Sequence, residues 1–240
     1  MRRMLSLAVV SVSAVLLAVS CTAPNEFTRG KALVDEARKA KDRKRADELY
    51  AKALPELEAA AKEGLGGAEG LYYLGVARYR TGRADDAVEA FQGAIEKSPD
   101  YLWPHYDLGV VYLGKRETDS AIAQLTKAAA INPDYTWAWH MLGKAYELKG
   151  DTTRAIESYE RASIADAAVE YNYFQLGLLY AKAGRNADAE KAYGKYLELG
   201  TEPALRTQAK AALDKLRPPE PGIRDIKKTE PESKPATDST

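Results

Sequence analysis

Residues 68–101 have the sequence AEGLYYLGVARYRTGRADDAVEAFQGAIEKSPDY, and the pattern of this stretch returns three more times in the 240-residue chain. Its clearest mark is a leucine followed by a glycine, which recurs at a constant interval of 34 residues. The four pairs are Leu74 and Gly75, Leu108 and Gly109, Leu142 and Gly143, and Leu176 and Gly177. A period of about 20–50 residues indicates a repeat architecture in which each copy packs on the next.

Two further columns keep the same spacing. An alanine follows each glycine after twelve residues, and a large side chain follows each alanine after four more. The alanines are Ala87, Ala121, Ala155 and Ala189, and the large residues are Phe91, Leu125, Tyr159 and Tyr193. In the first copy the spacing predicts one helix over residues 69–80 that ends at Gly82, and a second helix that ends at Pro99. The small residues Gly75 and Ala87 allow the two helices to approach closely.

These columns resemble those of the tetratricopeptide repeat, a helix–turn–helix unit with a period of about 34 residues. The resemblance covers residues 68–199. It implies an all-α fold of the α-α superhelix class, because helix pairs that cannot bury their apolar faces alone stack on one another. The last copy differs by placing Tyr196 where the earlier copies have alanine. The predicted repeats are residues 68–101, 102–135, 136–169 and 170–202.

Residues 26–67 are predicted to form N-terminal helices, which are either a helical cap or a degenerate first repeat. Asp42 is expected to cap the second of these helices, and Pro55 to end or kink it. Glycines at 64, 66 and 67 indicate a flexible joint. No strand precedes these glycines and no lysine with serine or threonine follows them, so a phosphate-binding loop lacks its context.

The C-terminal part of the chain consists of two segments that differ in composition. Residues 203–217 are amphipathic and resemble the solvating helix that caps repeat arrays. Residues 218–240 are rich in proline, lysine, glutamate, serine and threonine, with almost nothing to bury. This composition predicts a disordered tail.

The N-terminus is typical of a secretion signal. Arg2 and Arg3 precede an apolar run that is short for a membrane span, and small residues stand before Cys21, the only cysteine. This arrangement resembles the lipobox of bacterial lipoproteins, although Ala18 replaces the usual leucine. The resemblance implies a signal peptide over residues 1–20, lipidation of Cys21 and a short tether over residues 21–25. The alternatives are an ordinary secreted protein cut near Ala23 or an uncleaved anchor.

The residue after the lipobox cysteine also predicts the membrane to which the protein is sorted. Thr22 rather than aspartate follows the cysteine, which under the enterobacterial sorting rule implies an outer-membrane lipoprotein facing the periplasm. An anchor of two or more acyl chains would hold the protein stably on the bilayer. The repeats would then sit close to the membrane, because the tether is so short.

Composition gives no reason to expect nucleic acid, metal or cofactor. The chain has 35 basic and 35 acidic residues, and neither forms a stripe. The two histidines, His105 and His140, stand at non-equivalent positions, and with Cys21 used for lipidation no plausible zinc site remains. No catalytic motif appears, which predicts a protein that is not an enzyme.

The first helices of tetratricopeptide repeats line a concave groove, and helical spacing selects the residues that face it. Trp103, Trp137 and Tyr171 share one column of the repeat and are expected to point outward. For Tyr72, Tyr106 and Phe174 the resemblance favours inter-repeat packing, because their family counterparts are often partly buried. Tryptophan and tyrosine combine rigid apolar area with a polar group, which suits the binding of a protein or peptide. The predicted groove residues are Tyr72, Tyr79, Trp103, Tyr106, Val110, Trp137, His140, Lys144, Tyr171, Phe174 and Leu178.

Together these features predict a membrane-anchored, non-catalytic scaffold that binds a peptide or protein. In layout the chain resembles the pilotins of type IV pilus systems, lipid-anchored repeat proteins that help an outer-membrane secretin assemble. Two alternatives remain open at this point. One is an adaptor or cofactor for an envelope protease or peptidoglycan hydrolase, and the other is a self-associating structural protein of the envelope.

Overall fold

The computed structural model describes residues 24–216, so the predicted signal peptide, Cys21 and the tail over residues 218–240 lie outside the described part. All regular elements within residues 24–216 are helices, as the all-α prediction requires. They are α1 (Glu26–Lys39), α2 (Arg43–Lys62), α3 (Gly67–Arg80), α4 (Ala84–Lys97), α5 (Leu102–Gly114), α6 (Thr118–Ile131), α7 (Thr136–Lys149), α8 (Thr152–Ala165), α9 (Glu170–Lys182), α10 (Asn186–Leu199) and α11 (Pro203–Leu216).

The helices form two compact units that divide after Ile131. In the first unit α1 pairs with α2, α3 with α4 and α5 with α6, and α3 also contacts both α1 and α5. In the second unit α7 pairs with α8 and α9 with α10, and α11 packs on α9 and α10. The predicted capping helix is therefore present, with Ala209 fully buried against its neighbours.

Each repeat is held together by the glycine and the large residue of its own two helices. A β-carbon at Gly75 would lie 2.6 Å from the ring of Phe91, and one at Gly177 would lie 2.6 Å from the ring of Tyr193. A β-carbon at Gly109 would likewise lie close to the side chain of Leu125, and one at Gly143 close to the ring of Tyr159. The glycine column thus provides the space that the large side chain sixteen residues later fills.

The turn inside each repeat needs one residue in the left-handed region. Gly82, Gly150 and Gly184 have φ values of +86°, +80° and +74°, and they end α3, α7 and α9 as predicted for Gly82. The second repeat has Arg116 at this position, with φ +61°. A side chain in this region is strained by contact with its own backbone, so the second repeat makes the same turn at a higher conformational cost.

The N-terminal segment is a helix hairpin. Asp42 caps α2, and its carboxylate accepts hydrogen bonds from the backbone N–H groups of Lys44 and Arg45, as predicted. The prediction that Pro55 ends the helix is wrong, because α2 runs unbroken to Lys62. Pro55 cannot donate to the carbonyl of Ala51, but both residues are exposed, so water can bind that carbonyl.

Among the helices of residues 24–216, none combines the length and the apolar character that crossing a bilayer requires.

Candidate partner-binding site

Three aromatic residues occupy one column of the repeat and are exposed. Trp103, Trp137 and Tyr171 are each the second residue of their helix, α5, α7 and α9. They retain 43%, 45% and 40% of their surface in contact with solvent. Glu69 holds this column in the first repeat. Exposed tryptophan and tyrosine at corresponding sites are the kind of residue that dominates protein interfaces.

The side chains three residues after this column are mostly buried between helices. Tyr72, His140 and Phe174 are each at most 5% exposed, and Tyr106 is half-buried. The prediction that these side chains line an open groove needs correction for His140 and Phe174, because aromatic neighbours enclose them, whereas Tyr72 lines a cleft of the first unit. Phe174, for example, lies 5.2 Å and 6.1 Å, between ring centroids, from Tyr196 and Tyr193.

The remaining predicted groove residues differ in exposure. Tyr79 and Val110 in the first unit are half-buried, whereas Lys144 and Leu178 in the second unit are exposed. Their contact with a partner stays a prediction.

His140 forms a buried polar pair with Asn172. The ring nitrogen Nδ1 lies 2.6 Å from the Oδ1 oxygen of Asn172, and because a carbonyl oxygen only accepts, Nδ1 carries the proton. The ring also lies among those of Trp137, Tyr159 and Tyr171. Burial lowers the pKa of His140, which keeps the imidazole neutral and makes it part of the core.

His105 in the first unit is equally well enclosed. Its ring nitrogens lie 2.8 Å from the Oε1 oxygen of Gln124 and 2.9 Å from the carbonyl oxygen of Pro99. Within residues 24–216, no group of three or more histidine, cysteine, aspartate or glutamate side chains is arranged to hold a metal ion.

The first unit also contains a cleft that helical spacing alone did not predict. Its volume is about 490 Å³, and α1, α3 and α5 with the turn before α5 supply its walls. Only Tyr72, Trp103 and Tyr106 of its lining were predicted as groove residues. The lining residues are Arg38, Glu69, Tyr72, Tyr73, Tyr101, Trp103, Tyr106 and Asp107.

A chain of polar contacts runs along the floor of this cleft. Arg38 donates from Nη2 to the Tyr72 hydroxyl over 2.7 Å, and this hydroxyl and Arg38 both act on the charge of Asp107. The guanidinium carbon of Arg38 also lies 5.5 Å and 5.3 Å from the ring centroids of Tyr72 and Tyr73. Tyr73 in turn donates to Asp35 over 3.1 Å. Arg38 is thus held by aromatic faces as well as by a hydroxyl.

Asp107 is a carboxyl group of this cleft whose pKa is raised. Burial raises its pKa to about 6, although the Tyr72 hydroxyl and the charges of Arg38 and Arg80 act in the opposite direction. At neutral pH the carboxylate is mainly ionised, and the residue is half-buried. Arg38 was not among the predicted groove residues, because α1 precedes the four repeats that were identified in the sequence.

Three family models of the tetratricopeptide repeat match the chain. The first matches residues 78–142 and 112–175, the second residues 38–101 and the third residues 171–199. The second match begins within α1 and takes in all of α2, so the repeat pattern extends into the N-terminal hairpin. A comparison with curated protein sequences gives no match.

Solved structures of repeat proteins resemble the chain over most of its length. A crystal structure of MamA is 27% identical with a TM-score of 0.61, and the match covers 70% of this chain and 96% of that one. A tetratricopeptide protein from Thermus thermophilus, TTC0263, is 25% identical with a TM-score of 0.56, covering 77% and 98%. MamA from Desulfovibrio magneticus RS-1 is 23% identical with a TM-score of 0.59, covering 71% and 94%, and supports the fold alone.

Proposed function

Because the chain belongs to the tetratricopeptide-repeat family, we propose that it is a non-catalytic scaffold that binds a partner protein through the first helices of its repeats. Repeats of this family generally form interaction surfaces rather than catalytic sites. The observation that carries the proposal is the exposed column of Trp103, Trp137 and Tyr171. Large aromatic side chains left in water at corresponding positions gain most from being covered by a partner.

The partner would contribute apolar anchors. The exposed column is aromatic. Seven residues after its members on α7 and α9 stand Lys144 and Leu178, one cation and one apolar side chain, and both are exposed. An amphipathic helix or an extended segment with apolar side chains fits this surface better than a purely acidic or purely basic tail. The layout of the chain favours an outer-membrane protein, such as the secretin of a type IV pilus system, as this partner.

A crosslinked pull-down tests the partner proposal. The mature protein is crosslinked in its own envelope beside a variant with Trp103→Ala, Trp137→Ala and Tyr171→Ala, which circular dichroism must show to be folded. We expect an envelope protein to be recovered with the parent and lost with the variant, because the variant removes the apolar anchors. Recovery of the same proteins with both chains contradicts the proposal.

We also propose that the chain is anchored to the bacterial outer membrane, facing the periplasm, through lipid on Cys21. The support is the apolar N-terminal run with small residues directly before the only cysteine. Lipid at this position would hold the repeats near the bilayer and so near a membrane-embedded partner.

Metabolic labelling with an alkyne fatty acid tests the anchor. We expect the parent to incorporate label and to fractionate with outer membranes, and Cys21→Ala to lose both properties, since no other cysteine can replace the thiol. A mature parent protein whose Cys21 thiol reacts with maleimide, or one that lacks label, rules out lipidation at this site.

A further inference from the structure

The cleft of the first unit has features beyond an apolar surface. Its lining contains two carboxylates, Glu69 and Asp107, and one cation, Arg38. The Arg38 guanidinium is held by the Tyr72 hydroxyl and by two tyrosine rings, as described above. Glu69 is paired with Lys31, whose Nζ lies 2.7 Å from its Oε1. These two charges therefore already have partners within the chain.

Asp107 differs from these two charges. The Tyr72 hydroxyl and the charges of Arg38 and Arg80 lower its pKa, but burial outweighs them and raises it. The charged form of Asp107 is therefore less well stabilised than a carboxylate in water. A cation that reaches this half-buried carboxylate through the cleft stabilises its charged form directly.

Aromatic rings surround the same cleft. Tyr101 lies 5.4 Å from Tyr72 between ring centroids, and Trp103 stands at the edge of the cleft with 43% of its surface exposed. Burial raises the pKa of Tyr101 to about 12, which keeps its ring and hydroxyl neutral. Aromatic faces attract cations, and Arg38 on Tyr72 and Tyr73 shows this mode of binding within the cleft itself.

We propose that this cleft binds a basic side chain, lysine or arginine, of the partner protein, with Asp107 as its counter-charge and Tyr101 and Trp103 as its aromatic walls. The proposal rests on the proposed scaffold function and specifies the chemistry of one contact. It adds a charged anchor to the apolar ones.

Other occupants fit the cleft less well. An acidic group would meet Glu69 and Asp107, and the one cation in the lining is already engaged. A purely apolar group would remove more water from Asp107 and offer it no new partner, which costs free energy. A basic side chain satisfies both the carboxylate and the rings.

Binding should also depend on pH. Protonation of Asp107 removes the counter-charge, so affinity falls as the pH drops below about 6, the pKa of the free cleft. The groups that face Asp107 are Arg38 from α1, Tyr72 and Arg80 from α3, and Tyr101 from the turn before α5. The two arginines carry fixed positive charge and the two tyrosines ionise only at alkaline pH. Of these groups, Asp107 alone changes charge between pH 5 and 7.5.

Small cations provide a test that needs no partner. The mature protein, labelled with ¹⁵N, is titrated with n-butylguanidinium and n-butylammonium chloride at constant ionic strength and pH 7.5, and the indole resonance of Trp103 is followed. We expect saturable shifts with both cations and none with sodium butyrate or n-butanol. Asp107→Asn, which removes the charge and nearly keeps the size of the side chain, should weaken binding about tenfold.

A matched control removes the same charge elsewhere. Glu89 is exposed on α4 of the same unit, and Glu89→Gln should leave the affinity for the cations unchanged. Equal affinity in parent and Asp107→Asn, or saturable binding of butyrate, overturns the proposal. If the cations fail to bind while the aromatic triple variant still loses its partner, the result contradicts the binding of a basic side chain in the cleft and supports the scaffold function. If the cations bind but the triple variant keeps its partner, the result contradicts the aromatic column as the partner surface and supports cation binding in the cleft.

Discussion

Replacing Phe91 by alanine is expected to lower the free energy of unfolding of the first unit by about 3–5 kcal/mol. The side chain is fully buried between α3 and α4, where it fills the space opposite Gly75 and packs against the ring of Tyr72. Its removal leaves a cavity that neighbouring helices cannot close without shifting. Because domains are stabilised by only about 5–15 kcal/mol in total, the loss should be large enough to unfold much of this unit at moderate temperature.

Urea titration followed by circular dichroism measures this effect, with hydrogen exchange at the amides of α3 and α4 as a local readout. Trp103→Ala is the matched control, since it also truncates an aromatic side chain in the first unit but at a position 43% exposed. The control should change the free energy of unfolding by less than about 1 kcal/mol. A similar small loss for Phe91→Ala would show that the repeat core is not built around this residue.

The second prediction compares one substitution at two glycines of the fourth repeat. Gly177→Ala is expected to destabilise the second unit by about 1–3 kcal/mol, because the added methyl group would lie 2.6 Å from the ring of Tyr193, which is itself only 1% exposed. Gly194 also lies within a helix, α10, but nothing is within 4 Å of its β-carbon position. Gly194→Ala should therefore stabilise the unit by up to about 1 kcal/mol through helix propensity.

The test is whether the two substitutions change the free energy of unfolding in opposite directions. Thermal or urea unfolding of both variants measures these changes. A double variant adds a second check: in a Tyr193→Leu background the cost of Gly177→Ala should shrink, since the smaller side chain leaves room for the methyl group. If both glycines respond alike, propensity rather than packing determines the glycine column.

The repeat fold could be predicted because its decisive contacts lie within one period of the sequence. Gly75 packs on Phe91 and Gly177 on Tyr193, so the columns of the sequence are also the contacts of the structure. The capping helix was predicted for the same reason, as its apolar positions follow a simple helical pattern. The prediction that Pro55 could end α2 was wrong, because the carbonyl of Ala51 that loses its donor is exposed and can bind water.

The candidate site could be predicted only in part. The exposure of Trp103, Trp137 and Tyr171 followed from the helical spacing, but the burial of His140 depends on Asn172 and on rings from two other helices. The cleft was missed because Arg38 comes from α1, which precedes the four repeats predicted from the sequence. Single-helix spacing identifies which face a residue occupies, whereas contacts between helices decide how much of that face remains open.

The most direct test of the scaffold surface is the affinity of the partner identified by crosslinking for two purified triple variants. One variant removes the aromatic column with Trp103→Ala, Trp137→Ala and Tyr171→Ala. The control removes exposed apolar side chains at other repeat positions with Leu148→Ala, Ile164→Ala and Leu199→Ala, which are 60%, 84% and 37% exposed in the parent.

The scaffold proposal predicts that the aromatic variant binds at least about a hundredfold more weakly than the parent, because truncated interface anchors commonly cost about 2 kcal/mol or more each. The control should bind within about threefold of the parent, a difference of less than about 1 kcal/mol. A partner that tolerates loss of the aromatic column but not of the control residues would place the working surface elsewhere on the repeats and contradict the proposal.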